Sequence, residues 1–234
     1  MIAAETWHAQ DVADVMRQLG VTQAGLDPEE AARRSARHGA NELRREQTAS
    51  PLGLLVGQFK SLIVGILAAA AVVSGLLGEW VDAAAILAIV VLNGVIGFYQ
   101  EYGAERALAA LRRMTAPTAR VRRGGRSLQI PARDVVDGDL LELDPGDLVP
   151  ADARLLKSAS LQTNEAPLTG ESQAVEKRTA RLELPEAPLA ERANMVYLGT
   201  SVASGRATAV VVATGMRTQF GRIMDLLAGA GAGG

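Results

Sequence analysis

"SLIVGILAAAAVVSGLLG", residues 61–78, runs eighteen residues without a charge, and "AAAILAIVVLNGVIGFYQ", residues 83–100, runs eighteen more. Each is long enough to cross the hydrocarbon core of a bilayer as a helix. The link between them, "EWVD" at 79–82, carries two acids and no base. Basic residues stand at the outer ends instead: Arg44, Arg45 and Lys60 before, Arg106, Arg112 and Arg113 after. Cations gather on the cytoplasmic side of membrane helices, so this pattern puts both ends in the cytoplasm and the link outside. Phe59, Phe98, Tyr99 and Tyr102 fall at the inner boundary and Trp80 at the outer one, where amphipathic rings settle. Two core helices of a soluble protein would also be apolar. The charge asymmetry and ring placement favour a membrane hairpin, with spans at about 59–78 and 80–100.

The second span does not stop at the boundary. "EYGAERALAALRRM", residues 101–114, keeps a helical period, which predicts one long helix ending near Met114, ahead of Pro117. Gly65, Gly75, Gly94 and Gly97 suit close helix packing in lipid. Asn93, a polar side chain midway in the second span, fits an interhelical hydrogen bond better than an ion path.

On either side the chain is soluble in character. In residues 1–50, Val12, Val15, Met16 and Leu19 recur at helical spacing. A second helix is marked from Asp27 to about His38 by Asp27 as N-cap, Pro28 at the first position and Gly39 as the stop. The apolar stripe of this pair is narrow, so it needs a larger surface to dock on. From residue 117 the pattern turns to short strands with turn punctuation. "TARVRRGGRSLQI" reads as a hairpin around Gly124 and Gly125, and "DLLEL", "ARLLKS", "NMVYLG", "TSVAS" and "RATAVVVATG" are further strands. "DPGDLVPAD", residues 144–152, is a compact loop on Pro145, Gly146 and Pro150. The division is 1–50 helical module, 57–116 membrane hairpin with a helical extension, 117–224 β-rich domain, and 225–234 a low-complexity tail whose last stretch, "AGAGAGG" at 228–234, is expected to be without structure. The fold class is thus a membrane protein of α+β type.

Composition narrows the functions. The 234 residues are 48% hydrophobic with only 3% aromatic, and the formal net charge is -2. With a pI near 5.8 the balance gives no reason to expect nucleic acid. The absence of cysteine excludes disulfides, thiolate metal sites and cysteine nucleophiles. "MIAAETWHAQDVADV" has neither the basic start nor the apolar core of a secretory signal.

One short stretch carries chemistry. In "APLTGESQAVEK", residues 166–177, Gly170 can turn the chain sharply and expose Glu171, a carboxylate able to orient a water. Thr169 and Ser172 add hydroxyls that suit the turn. Four letters in isolation read better as a polar surface turn. Asp147 and Asp152 form a carboxylate pair in sequence, but their Pro/Gly setting favours turn-capping over metal or acid/base work.

The order of segments alters the weighting. A helical segment, a membrane hairpin, a long helix and a β domain with "DVVDGDLLELDPGDLVPAD" and "LTGES" together resemble the N-terminal part of P-type cation-transporting ATPases, most closely the subgroup of calcium and sodium/potassium pumps. "GLDPEEAARRSARHGANEL" is similar to the family's N-terminal module, and "TGMRTQFGRI" to the strand closing the actuator domain and the link to a third membrane helix. The resemblance covers about Trp7 to Leu227 and implies a distorted jelly-roll actuator. It gives Thr169, Gly170, Glu171 and Ser172 to the catalytic loop that promotes hydrolysis of an aspartyl phosphate, with Glu171 positioning the water. Pro145, Gly146, Asp147, Pro150, Ala151 and Asp152 match a structural loop. Ala174 stands where the family often has proline.

The family's Asp-Lys-Thr-Gly-Thr motif does not occur in these residues, nor does its Gly-Asp-Gly motif. The expectation is therefore an N-terminal portion of a cation pump, calcium-like, not catalytic alone. It would have no cofactor or metal of its own, with ATP and Mg2+ implied for the full-length family. Its partners would be the bilayer and the missing parts on another chain, at the plasma membrane with both termini cytoplasmic. The alternative is a membrane-anchored regulatory module or split-pump subunit. A hydrolase acting alone through Glu171 lacks a nucleophile, metal set and nucleotide loop. His8 and His38 both fall in the N-terminal module, where packing or surface roles suffice.

Overall fold

A computed structural model describes residues 6–43, 62–114, 117–171 and 173–231. Arg44, Arg45, Phe59, Lys60 and Ser172, all singled out above, lie outside the described residues. The chain divides into two compact units, one of Arg45–Thr115 and the other of Met1–Arg44 with Ala116–Gly234.

The first unit is a pair of packed helices. The N-terminal segment contributes α1 (Val12–Leu19) and α2 (Pro28–His38) to the other unit, so the pair is α3 (Leu62–Leu76) and α4 (Trp80–Met114). Helix α3 ends in a Schellman motif. Glu79 N donates to Ser74 O at 3.0 Å and Gly78 N to Gly75 O at 3.1 Å, with Gly78 at φ 82. Val64 and Ala71 on α3, and Ala83, Val90 and Gly94 on α4, form buried faces. The opposite faces expose Ile66, Val72, Val73, Leu87, Ile89, Val91, Leu92 and Val95. Such an outward apolar surface is costly in water and suits lipid.

Among the described residues one helical segment, Trp80–Gly103, is long and apolar enough to cross a membrane, with a mean hydropathy of 2.2. The expected first span, about 59–78, is only partly described. Its helical part, Leu62–Leu76, has 15 residues. Two details of the packing differ from expectation. A Cβ on Gly65 would meet nothing within 4 Å, so its small size is not used by α4. Asn93 is exposed, and among the described residues it makes no interhelical hydrogen bond.

The second unit is an antiparallel sheet covered by the N-terminal helices. Its strands are β1 (Thr118–Arg123), β2 (Arg126–Pro131), β3 (Leu140–Leu143), β4 (Asp152–Asn164), β5 (Ala174–Glu176), β6 (Met195–Val196) and β7 (Ser201–Ala213). The order is β2-β1-β3-β7-β4-β5, with β6 beside β4. Gly124 and Gly125, at φ 55 and 76, make the two-residue turn between β1 and β2. Alternation puts Ala207, Ala209 and Val211 of β7 into one core with Val121, Leu141, Leu143, Leu155 and Leu161. Val210 and Val212 face a second core with Leu140, Tyr197 and the N-terminal Trp7, Val15, Val21, Leu26 and Ala31. Both faces of β7 are buried, which explains its unbroken apolar run. The N-terminal helical pair, expected to need a larger surface to dock on, thus shares a core with the sheet.

Three sequence expectations are corrected. "TSVAS" and "RATAVVVATG" are one strand, because β7 continues through Gly205 and lies so close to β4 that a Cβ on Gly205 would sit 2.1 Å from Ser160 O. "NMVYLG" supplies only the two residues of β6. Of the stretch expected to be unstructured, 228–234, residues 228–231 belong instead to α6 (Gln219–Gly231), and 232–234 lie outside the described residues. The Thr218 hydroxyl caps that helix, accepting from Gly221 N at 3.1 Å, and the Ala- and Leu-rich run carries it on.

The N-terminal segment is fixed to the sheet by a buried cation. Arg154 on β4 donates to the carbonyls of Trp7 (3.2 Å), Gln10 (3.2 Å), Thr179 (3.0 Å), Leu155 (2.8 Å) and Asn194 (3.4 Å). Burial pulls its guanidinium down to about 10, with Asp11 opposing the shift. His8 is buried too, with Nε2 3.0 Å from Pro185 O.

Candidate functional site

Two loops carry the residues singled out from sequence. The first joins β3 to β4. Gly146 adopts φ 89, its amide donates to Val202 O at 2.9 Å, and Val202 N donates back to Asp147 O at 2.9 Å. The Asp147 carboxylate accepts from Asp144 N at 2.9 Å and lies 3.7 Å from Arg120. Pro150 O accepts from the buried Asn41 side chain at 2.7 Å, and Ala151 is fully buried in the core. Asp152 is not in the turn at all. It opens β4, is 3% exposed, and accepts from Leu198 N at 2.9 Å and Gln219 N at 2.7 Å, the latter at the start of α6. Burial pushes its carboxyl up to about 6, against the two amides and Arg222. Asp147 and Asp152 therefore have different partners and form no joint site. Among the described residues no group of three His, Asp or Glu side chains is placed to hold a metal ion.

The second loop joins β4 to β5. Its base is set by the pairs Gln162↔Glu176, Thr163↔Val175 and Asn164↔Ala174. Asn164 Oδ1 accepts from Ala166 N at 3.0 Å and starts a single turn, α5 (Ala166–Thr169). Leu168 packs against the second core and anchors the turn. The Glu165 carbonyl accepts three donors: Leu168 N at 2.9 Å, Thr169 N at 3.0 Å and Thr169 Oγ1 at 3.1 Å. Gly170 ends the turn at φ 77, a left-handed conformation that favours glycine. Glu171 N then donates to Thr169 Oγ1 at 3.3 Å. Thr169 thus links the Glu165 carbonyl to the Glu171 amide. The Glu171 side chain is exposed, and its carboxylate has no partner among the described residues. The site is a carboxylate at the tip of a loop whose backbone is tied and whose acid is not. It can accept a proton from, or orient, a water brought to it by another surface.

Two residues essential to this geometry were missed from the sequence. The carboxylate of Glu165 is 1% exposed and lies 2.5 Å from Lys177 Nζ, itself fully buried, with Thr163 Oγ1 at 3.2 Å. Lys177 Nζ also sits 5.7 Å from the ring centroid of Tyr197. Burial pulls the Lys177 ammonium below its ordinary range while Glu165 holds it up. A signal existed: in "AVEK" the inward Val175 shares strand parity with Lys177, which puts a lysine where an apolar residue is expected.

Comparison with known proteins bears on the domains rather than on the loop. Residues 113–228 match the family model described as the P-type ATPase actuator domain, and residues 7–74 match that of the cation transporter/ATPase N-terminus. A "Calcium-transporting ATPase" of Bacillus subtilis is 40% identical over 226 residues, covering 96% of this chain and 25% of the relative. A calcium-transporting ATPase of Listeria monocytogenes is 40% identical over 220 residues, 94% of this chain and 25% of its own. A "Probable cation-transporting ATPase F" of Mycobacterium bovis is 42% identical over 207 residues, 88% of this chain and 23% of its own. The chain spans about a quarter of the length of these curated relatives.

Proposed function

Because this chain belongs to the P-type ATPase family, as its N-terminal and actuator portion, we propose that it serves an ATP-driven calcium pump by promoting hydrolysis of an aspartyl phosphate. The observation that carries this reading is the exposed Glu171 on its tied turn. Glu171 orients a water in line with the phosphorus and takes its proton as the P–O bond forms. The bond to the aspartate breaks, leaving the aspartate carboxylate and inorganic phosphate. Positioning and electrostatics supply most of the rate in such a transfer, so a fixed backbone under Glu171 is the property required. The phosphorylated aspartate, ATP and Mg2+ belong to the remainder of the pump.

In this reading α3 and α4 form a membrane hairpin with both ends of the chain on the cytoplasmic side of the plasma membrane. Support comes from the acid-only link at 79–82, the basic flanks and the outward apolar faces. The calcium assignment draws on the names of the relatives from Bacillus and Listeria.

The test places this chain at the head of the remaining three-quarters of the Bacillus subtilis relative and reconstitutes the joined pump in vesicles. ATP-dependent uptake of radiolabelled calcium is expected. A joined pump that forms phosphoenzyme but carries no calcium would contradict the calcium assignment. This chain alone is expected to give no phosphoenzyme from labelled ATP, and labelling of it would contradict the division of labour.

A further inference from the structure

The proposed hydrolysis leaves one buried pair without a role. Glu165 opens the loop that carries Glu171, Lys177 follows directly after β5, and both side chains are out of water. A buried ion pair is weak as a stabilising device, because removing two charges from water offsets most of their attraction. What this pair does geometrically is specific. Lys177 is held by its backbone, donating to Leu161 O at 2.9 Å and accepting from Ser158 Oγ at 3.2 Å. Its ammonium is confined between the Glu165 carboxylate and the Tyr197 ring. Glu165 is thereby fixed at its side chain, and its carbonyl is the acceptor for Leu168 N, Thr169 N and the Thr169 hydroxyl. The same hydroxyl accepts from Glu171 N. A continuous set of contacts runs from Lys177 through Glu165 and Thr169 to the backbone of Glu171.

We infer that Glu165 and Lys177 are a positioning pair for Glu171: they set the orientation of the Glu165 peptide and so the place of the loop tip at the phosphoryl group. This rests on the hydrolytic role proposed for Glu171. Neither residue touches the reacting atoms. Thr169 transmits the constraint, and Leu168 fixes the turn against the core.

A positioning role has a kinetic signature that a folding role lacks. A variant that merely folds less well yields less phosphoenzyme, but what forms decays at the ordinary rate. A mispositioned tip lets phosphoenzyme form at the ordinary rate and slows its decay. The experiment uses the joined pump, labelled with radioactive ATP and chased with unlabelled ATP, in Lys177→Met, Glu165→Gln and the double variant carrying both changes. The double variant leaves no unpaired buried charge and guards against misfolding of the single ones.

Expected is decay slowed roughly ten-fold or more in each variant that folds, with the rate of phosphoenzyme formation unchanged. In the full chain alone, amide exchange at Thr169, Gly170 and Glu171 is expected to rise in the same variants while β7 stays protected. Glu171→Gln, run in parallel, separates the two readings. If it decays slowly while all the pair variants that fold decay at the wild-type rate, the positioning role is overturned and the hydrolytic role stands. If Glu171→Gln itself decays at the wild-type rate, the hydrolytic role fails.

Discussion

The loop at 144–152 and the loop at 163–177 are made of similar parts. Each has a proline, acids and a glycine in the left-handed region, Gly146 at φ 89 and Gly170 at φ 77. They differ in what becomes of the acids. In the first loop Asp144 lies 3.0 Å from Arg206 and Asp147 caps Asp144 N, while Asp152, which opens β4 directly after it, holds two amides, one of them at the start of α6. In the second, Glu165 is tied to Lys177, while Glu171 is held by its backbone alone. A carboxylate whose partners are all internal does structural service. One presented outward on a fixed backbone is available to something else. The comparison separates scaffold from chemistry by partners rather than by residue type.

Breaking tied groups costs stability. The largest effect is expected at Arg154, the cationic counterpart of the tied acids. Arg154→Met strands several buried carbonyls and is expected to lower stability by about 3 kcal/mol or more, read by denaturant unfolding in detergent. It should also raise amide exchange in the N-terminal segment before the sheet opens. A loss below 1 kcal/mol would contradict the role given to Arg154.

Asp152 comes next and gives a pH dependence. Its folded value of about 6 lies above the ordinary 3.8, so the folded chain holds the proton more tightly. The stability this contributes is fully present below pH 3.8 and is lost as pH rises through about 6. The span amounts to about 3 kcal/mol between those limits. Asp152→Asn is expected to flatten that part of the stability-versus-pH curve, measured as the difference from wild type. An unchanged slope would show that Asp152 titrates normally.

The smallest effect is expected at Gly170. An added Cβ meets nothing within 4 Å, so Gly170→Ala carries only the backbone cost of its positive φ, about 1 kcal/mol. A much larger loss of stability would mean that the loop packs against more than Leu168 and its own turn.

Local features were the legible ones. Asp27, Pro28 and Gly39 marked α2, which runs Pro28–His38 with Asp27 accepting from Glu29 N. Gly124 and Gly125 marked the β1–β2 turn. Thr169, Gly170, Glu171 and Ser172 were singled out only through the family resemblance, because four letters in isolation read as a polar surface turn. What escaped depends on distant partners. The shared core of the N-terminal helices and the sheet pairs Val15 and Leu26 with Val210 and Val212. Arg154 meets Trp7 O, and Asp152 meets Gln219 N, across long stretches of chain. Glu165 and Lys177 look like surface charges until β5 pairs with β4 and turns Lys177 inward. Residues 228–231 were misread because their glycine count suggested disorder, whereas they continue a helix that starts at the buried cap Thr218.

The most direct test compares one acid from each loop in the joined pump. Phosphoenzyme decay after an unlabelled chase is measured for Glu171→Gln and Asp147→Asn beside wild type. Expected is a slowing of roughly 10²- to 10⁴-fold for Glu171→Gln, with no change in unfolding midpoint, and an ordinary rate for Asp147→Asn. Wild-type decay in Glu171→Gln, or equal slowing in both variants, would contradict the claim that Glu171 positions the attacking water.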